Sequence, residues 1–279
     1  MKHLKKQTLI LLSIASLLLV GLAVFAHLHK KEEQASYSNL NSKASIREVR
    51  AILSKHLNEE SVDNFINLVT DYNDTVGSVG LSGSFAPFTK TDYDVEKISS
   101  LWTAKHGDFI GTNCRINTYT LLKGKIKIPQ VKSDSELLFQ DKDAIDKGKL
   151  FDAKEQADFD ILFSRVKTDP TQDVKVHAKH MEDYYKQFTF DDKARMLSVV
   201  VHDNLDDDSL FVGHVGVLVP TTDGYLFVEK LTFEEPYQAI KFASKKDCYK
   251  YLTTKYKDYT GPGLSKPFIM DNGKWVDMD

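Results

Sequence analysis

The chain has 279 residues, of which 42% are hydrophobic and 28% are charged, and its formal net charge at pH 7 is −3. This composition is typical of a globular protein and excludes a fibrous or intrinsically disordered one. Two cysteines are too few for a small domain held together by disulfides. The mildly acidic balance argues against nucleic acid as a partner, because nucleic-acid-binding proteins present a basic surface.

The first 26 residues have the pattern of an export signal. Lys2, Lys5 and Lys6 form a positive start, and the 19 residues from 8 to 26 carry no charge. A secretory signal has this pattern, and 19 apolar residues are also about long enough to span a bilayer as a helix. Cleavage after Ala26 and retention as a membrane anchor both stay open. In either case we expect an exported protein, secreted or anchored in the membrane and facing outside.

The rest of the chain divides into a spacer and one domain. Residues 27–43 are polar, which predicts a flexible spacer, and residues 44–279 then form a single extracytoplasmic domain. Apolar residues recur at helical spacing up to about residue 190, whereas strand-like runs follow it. Helices first and antiparallel strands later predict an α+β domain, with N-terminal helices packed on a C-terminal antiparallel sheet.

Helices are expected throughout the first half of the domain. They are one capped by Ser45, one carrying Val62 to Tyr72, one carrying Val95 to Trp102 and ended by Gly107, and one starting at Cys114. Lysines alternating with isoleucines from Lys123 to Lys132 predict a strand with one solvated face. The charged stretch 134–190 is mostly helical in pattern.

Strands and turns dominate the second half. The expected elements are strands at Leu197–Val201, Phe211–Val219 and Tyr225–Phe233, a helix near Ser244–Tyr256, and a hairpin at Phe268–Val276. Asp223-Gly224 and Asn272-Gly273 are dipeptides that favour tight hairpin turns.

A cysteine at the start of a helix is the first candidate for chemistry. Asn113 is a good N-cap residue, which places Cys114 in the first turn of the helix. There the unpaired backbone N–H groups and the helix dipole favour the thiolate, the nucleophilic form. The same N–H groups can stabilise an oxyanion.

A histidine and a glutamate on successive strands complete the candidate catalytic set. His214 lies in an apolar strand between two glycines, where an imidazole is costly unless its nitrogens have partners. Glu229 lies on the next strand, and a turn centred on Thr222-Asp223 or Asp223-Gly224 would place it nearly opposite His214, one or two residues from exact pairing. A bulge or a longer loop would bring the two side by side. A carboxylate there would orient the imidazole and hold its charge, as in a triad of nucleophile, base and orienting group.

The order Cys114, His214, Glu229 resembles that of papain-like and NlpC-type cysteine hydrolases. These enzymes carry a cysteine at a helix N-terminus, then a histidine starting a strand, then a polar residue on the adjoining strand. The resemblance implies a papain-like fold and a cysteine nucleophile. The sequence departs from NlpC-type enzymes in its interval of 100 residues from cysteine to histidine, and in having Asn113 where an aspartate is usual.

The whole exported chain also resembles an uncharacterised family of Gram-positive envelope proteins that carry an Asn-Cys-Arg motif, here Asn113-Cys114-Arg115. That family has no assigned activity. From the candidate catalytic set and the resemblance to papain-like and NlpC-type enzymes we expect a cell-envelope cysteine hydrolase or acyl transferase acting on amide or peptide bonds, without a cofactor or metal. A peptidoglycan peptide is the expected partner by location, and Asn113 and Arg115 are expected to contact the substrate or the oxyanion. The alternative is a non-enzymatic extracytoplasmic binding protein with the same fold.

Simpler interpretations stay open for several of these residues. Cys114 can be a buried structural thiol or form a disulfide with Cys248, which otherwise packs in a helix. His177 and His180 are spaced to bind zinc on a helix, but a solvated charged helix explains them better. Residues 203–209 are acidic enough to bind calcium, yet lack the order of an EF-hand and fit a loop between strands.

Overall fold

The computed structural model describes residues 35–77, 79–89 and 91–278. Over these ranges the chain forms a mixed α+β fold with nine β-strands and eight α-helices, so the predicted α+β class is confirmed. The expected signal or anchor, residues 1–26, lies outside the described residues. Within those residues, no helix has the length and apolar character that crossing a membrane requires.

The helices occupy both halves of the chain. They are α1 (Lys43–Leu53), α2 (Glu59–Val76), α3 (Val95–His106), α4 (Cys114–Leu122), α5 (Phe139–Gly148), α6 (Ala153–Leu162), α7 (Val174–Tyr185) and α8 (Lys245–Tyr256). A short 3-10 turn at Glu136–Leu138 leads into α5.

The strands form one sheet. They are β1 (Ser36–Ser38), β2 (Ala86–Pro87), β3 (Val166–Lys167), β4 (Arg195–Asp203), β5 (Ser209–Pro220), β6 (Tyr225–Lys230), β7 (Tyr237–Phe242), β8 (Phe268–Asp271) and β9 (Lys274–Trp275). The order across the sheet is β2-β1-β7-β6-β5-β4-β8-β9, with β3 paired to the start of β5, and the pairings are antiparallel.

The two faces of the sheet bury different cores. One face packs against most of the helices, and Val215 and Val217 of β5 point into this larger core. The other face packs against α8, where Leu218 meets a smaller core that includes Leu252. Alternate residues of a strand point to opposite faces, so both sides of β5 are apolar and the strand is buried in the centre of the sheet.

The last part of the predicted spacer, residues 36–43, belongs to the folded domain, whereas residues 27–34 lie outside the described residues. Ser36–Ser38 form β1, which pairs with β7 and β2, and Leu40 is fully buried in the larger core. The domain therefore includes residues before the predicted boundary at residue 44. Polar composition misled the prediction here, because Ser38 and Asn39 are buried and satisfy their polar groups by hydrogen bonds to Ser82.

Most predicted helices and the terminal hairpin are present, with small shifts at their ends. The first helix is capped by Ser42, whose side chain accepts from the backbone N–H of Ser45, so Ser45 lies inside the helix. Asn272 and Gly273 form the terminal turn with positive φ angles of 50° and 70°, as their dipeptide predicts.

The strands differ from the prediction in three places. The basic run from Lys123 to Lys132 makes one isolated bridge, Lys127 to Thr189, and no strand. The strand predicted over Tyr225–Phe233 ends at Lys230. The central strand β7 was missed altogether, although it pairs along its length with β6.

Candidate active site

The N-terminus of α4 places Cys114 in the first turn of a helix, as predicted. Asn113 is the N-cap residue, and its side-chain oxygen accepts a hydrogen bond from the backbone N–H of Ile116 at 3.1 Å. First-turn N–H groups have no acceptor within a helix, so they favour negative charge on the thiol. Cys114 is buried, with 5% of its surface exposed, and it is not in a disulfide.

A buried aspartate ties both neighbours of the cysteine to the rest of the protein. Asn113 Nδ2 donates to Asp141 Oδ1 at 2.7 Å, and Arg115 donates to both carboxylate oxygens at 3.0 and 2.7 Å. A further N–H of Arg115 donates to the backbone oxygen of Val212 at 3.0 Å. The Asp141 side chain is fully buried, so α4 is fastened to α5 and β5 beside the cysteine.

His214 follows a β-bulge in β5. In the ladder with β4, Val199 pairs with His214 but Val200 pairs with Val212, so Gly213 is an extra residue. The inserted residue shifts the alternation of side chains between the two faces of the sheet from His214 onwards. After the bulge, the ring of His214 stacks on the ring of Tyr256 from α8, with centroids 4.6 Å apart.

The predicted contact between His214 and Glu229 is present, and the β5–β6 hairpin is centred on Thr222-Asp223, one of the two turn centres that the sequence predicts. The β5–β6 ladder pairs Val217 with Val228, which places Glu229 opposite Gly216, two residues from His214. The two side chains are therefore diagonal neighbours on one face of the sheet. His214 Nε2 donates to Glu229 Oε2 at 2.5 Å, and both side chains are almost wholly buried.

The thiol of Cys114 and the ring of His214 form a hydrogen bond and shift each other's pKa. Burial alone would raise the pKa of the thiol, but the charge and hydrogen bond of His214 outweigh burial and lower it. Burial alone would lower the pKa of His214, but Cys114 and then Glu229 raise it. Since Glu229 occupies Nε2, Nδ1 is the nitrogen that faces the thiol. The environment therefore favours a thiolate–imidazolium pair.

Glu229 is kept ionised by groups on α8 as well as by His214. Burial alone would raise its pKa, but the charges of Lys255 and His214 and the hydrogen bonds of His214 and Tyr251 lower it to about 2. Tyr251 donates to Glu229 Oε1 at 2.5 Å, and Lys255 Nζ lies 3.6 Å from the same oxygen. Sequence reasoning missed both residues, because nothing local to α8 indicates which strand the helix covers.

The segments that flank the cysteine and the glutamate are also anchored. Thr112 Oγ1 lies 2.9 Å from the hydroxyl of Tyr237, and Asn117 Nδ2 donates to Thr112 at 2.9 Å. Lys230 is fully buried and donates to three backbone oxygens of the β6–β7 loop, those of Thr232, Phe233 and Glu235. Burial lowers the pKa of Lys230 to about 7.

The side chains of Asn113 and Arg115 are engaged inside the protein. Their donors bond to Asp141 and to the backbone of β5, as described above. The structure places them next to Cys114, where the sequence predicts them, in contacts that position the helix. The backbone N–H groups at the start of α4 are the donors that remain for an oxyanion.

The other candidate groups lie apart from this site. Cys248 is free and fully buried in the smaller core, and burial raises its pKa well above the ordinary value. His177 is buried and bonds to Thr168 and Thr171, whereas His180 bonds to Asp169. Residues 203–209 connect β4 to β5. Among the described residues, no group of three or more His, Cys, Asp or Glu side chains is arranged to hold a metal ion.

The solvent-facing side of the site includes Tyr259, which packs edge-on against Tyr256 and is 54% exposed. A separate groove of about 720 Å³ runs along α3, and Cys114 and His214 do not line it. Its lining residues are Val95, Glu96, Ser99, Ser100, Thr103, Ala104 and Glu234.

Comparison with known proteins identifies a family but no activity. The profile of a family described as "Domain of unknown function (DUF4300)" matches residues 36–276. No curated protein and no solved structure matches the chain. The expectation that the chain belongs to an uncharacterised family is confirmed.

Proposed function

We propose that the chain, which belongs to the DUF4300 family, is a cysteine hydrolase or acyl transferase that acts on amide or peptide bonds of the cell envelope. One observation carries the proposal: Cys114, His214 and Glu229 form a continuous hydrogen-bonded series, with the cysteine at a helix N-terminus. This arrangement of nucleophile, base and orienting group is what activates a cysteine for acyl transfer.

In the proposed reaction the thiolate of Cys114 attacks the carbonyl carbon of an amide. The carbonyl electron pair moves to oxygen, and the backbone N–H groups at the start of α4 stabilise the oxyanion. The imidazolium of His214 gives its Nδ1 proton to the leaving nitrogen as the C–N bond breaks, which releases an amine and leaves a thioester on Cys114.

The second half of the reaction returns the enzyme to its starting state. Water, or an acceptor amine or hydroxyl, gives a proton to His214 and attacks the thioester carbonyl. The C–S bond breaks and Cys114 leaves as the thiolate beside the imidazolium. Attack by water makes the protein a hydrolase, and attack by an acceptor makes it an acyl transferase. Glu229 holds the ring in the orientation that both halves need.

The papain-like architecture and the location belong to this proposal. The helix that carries Cys114 packs against β5, the strand that carries His214, which agrees with a papain-like arrangement. The export pattern of residues 1–26 supports an envelope substrate, and a peptidoglycan peptide fits an amide-cleaving site by location.

Alkylation of the thiols across pH tests the proposal directly. We expect iodoacetamide to modify Cys114 in the purified full chain with an apparent pKa well below the ~8.5 of a free thiol. Cys248→Ala should react like the wild type, because Cys248 is fully buried. His214→Ala should lose the reactivity at acidic and neutral pH, because the thiolate loses its imidazolium.

A Cys114 that reacts only after the protein unfolds would reject the enzymatic proposal and support the alternative of a non-enzymatic binding protein. Reactivity that persists unchanged in His214→Ala would also reject it. If the wild type reacts as expected, Cys114→Ala should abolish cleavage of envelope peptides while its melting temperature stays close to that of the wild type.

A further inference from the structure

We infer that Tyr251 and Lys255 of α8 are positioning residues of this site, which keep Glu229 ionised and aimed at His214 when the surroundings become acidic. The inference rests on the proposed function and extends the series of interacting side chains from three residues to five. Helix α8 contributes no group to the reaction itself. In this inference it sets the lowest pH at which the site stays active.

The two oxygens of Glu229 have different partners. Oε2 accepts from His214 Nε2 at 2.5 Å, and Oε1 accepts from the hydroxyl of Tyr251 at 2.5 Å. The carboxylate is therefore held at both ends, and the ring of His214 cannot turn without breaking a bond to a fixed partner. Tyr251 is itself held, since its hydroxyl accepts from Lys255 Nζ at 2.8 Å.

Lys255 supplies the charge that a buried carboxylate needs. The side chain of Glu229 has no exposed surface, whereas 30% of the Lys255 side chain is exposed. An ionised carboxylate removed from water is costly unless a cation and hydrogen bonds compensate for it. Lys255 Nζ is 3.6 Å from Oε1, so it compensates that charge while its own ammonium stays partly solvated.

The titratable groups around Glu229 come from β5 and α8. The titratable groups that act on it are His214 from β5, and Cys248, Tyr251, Lys255 and Tyr256 from α8. The residue that pairs with Glu229 on the neighbouring strand β7 is Gln238, which does not titrate. Lys255 is thus the cation of α8 in this set, and burial and Glu229 keep the hydroxyl of Tyr251 protonated as a donor by raising its pKa.

The consequence for the cysteine appears at acidic pH. Without Lys255 or the Tyr251 hydroxyl, burial raises the pKa of Glu229, and the carboxylate takes up a proton at a higher pH. A neutral Glu229 no longer stabilises the imidazolium of His214, and the imidazolium is what holds Cys114 as a thiolate. The variants should therefore lose thiol reactivity on the acid side and keep it at alkaline pH.

Alkylation of the full chain with iodoacetamide tests this in Tyr251→Phe and Lys255→Met. Relative to the rate near pH 8, we expect the rate near pH 5.5 to fall about three- to tenfold, as it would if the apparent pKa rose by about 0.5 to 1. Lys250→Met is the matched control, because Lys250 lies on α8 and is exposed, and it should match the wild type. Lys255→Arg should restore the wild-type profile.

Glu229→Gln separates a positioning role from a general loss of structure. It should lower alkylation at neutral as well as acidic pH, because an amide carries no charge at any pH and cannot support the imidazolium, whereas the two α8 variants should be impaired at acidic pH alone. A wild-type profile in both α8 variants, or a uniform loss at all pH values in them, would overturn the inference while leaving the proposed function standing. A wild-type Cys114 that never reacts in the folded chain would instead reject the proposed function.

Discussion

Asn113 makes two buried hydrogen bonds beside Cys114, one as an acceptor and one as a donor. Its oxygen caps α4, and its Nδ2 donates to the fully buried carboxylate of Asp141 at 2.7 Å. An aspartate in this place, usual in NlpC-type enzymes, would also cap the helix but could not donate. The buried Asp141 therefore explains why this chain carries an amide before its cysteine.

Asn113→Asp should destabilise the protein at neutral pH, by about 1 to 3 kcal/mol, because two carboxylates would meet in a buried place. The pKa of the new carboxyl would be raised above its unfolded value, so the folded state would bind more protons. The stability deficit relative to the wild type should then shrink as the pH falls through that raised pKa towards the ~3.9 of an unfolded aspartate, and it should change little below that. Urea unfolding at several pH values measures this.

Asn58→Asp is the matched control for that substitution. Asn58 is the N-cap residue of α2, and its side chain makes no capping hydrogen bond and is bonded to the backbone of Lys123 at the surface. A negative charge at this helix N-terminus should leave stability unchanged or slightly raise it. A loss as large as that of Asn113→Asp, and equally pH-dependent, would contradict the explanation by Asp141.

At the scale of elements, two glycines of β5 set the surroundings of His214: Gly213 forms the bulge before it, and Gly216 lies opposite Glu229. The bulge at Gly213 changes the face that the strand presents just before His214. Gly216 lies opposite Glu229, and an added Cβ there would lie 2.4 Å from Cζ of Phe227 and 2.7 Å from the backbone oxygen of Val228. A side chain at residue 216 would therefore push β6 away from β5 next to the contact of His214 with Glu229.

Gly216→Ala should destabilise the protein by about 1 to 3 kcal/mol, because the strands must separate to admit a methyl group in the centre of the sheet. It should also slow alkylation of Cys114, since the shift of β6 moves Glu229. Gly261→Ala is the control, because its added Cβ would make an ordinary contact of 3.7 Å with Leu264. Equal stability of the two variants by thermal unfolding would show that the sheet has room at residue 216.

At the scale of the whole molecule, one ion pair joins the segment between the cysteine and the histidine to the site. Asp141 lies in α5, within the 100 residues that separate Cys114 from His214. Its carboxylate is fully buried and bonds to Arg115, whose side chain is 15% exposed. The long insertion thus packs on α4 through a charged contact as well as through the shared core.

Asp141→Ala should lower the free energy of unfolding by about 3 to 5 kcal/mol, because it leaves the Arg115 guanidinium buried without its partner. Arg115→Met combined with Asp141→Ala should cost less than the two single substitutions added together. A double-mutant cycle by urea unfolding measures the difference. Additive costs would mean that the two charges do not depend on each other.

Asp63→Ala provides the comparison for a surface pair. Asp63 bonds to Arg50 at 2.6 Å, but both side chains are more than 40% exposed. Removing it should change stability by less than about 1 kcal/mol, because exposed charges are screened by water. The contrast between the two pairs tests burial as the cause of the Asp141 effect.

Several features of the fold and the site follow from the sequence alone. Helical spacing, capping residues and the Asn272-Gly273 turn depend on neighbours within a few residues, so the helices α2, α3 and α4 and the terminal hairpin could be predicted. The start of α4 at Cys114 follows from the cap at Asn113 in the same way. The choice of Cys114, His214 and Glu229 needed only their residue types and the hairpin between the last two.

The tertiary structure decided what depends on distant contacts. Nothing near residue 36 in the chain reveals that Ser36–Ser38 pair with β7, and composition assigned them to a spacer. The bulge at Gly213 arises from pairing with β4, so the pairing of His214 with Val199 could not be predicted. Asp141, Tyr251 and Lys255 reach the site from elements far away in the chain. Local periodicity determines the elements, whereas burial against distant partners determines which charges meet at the cysteine.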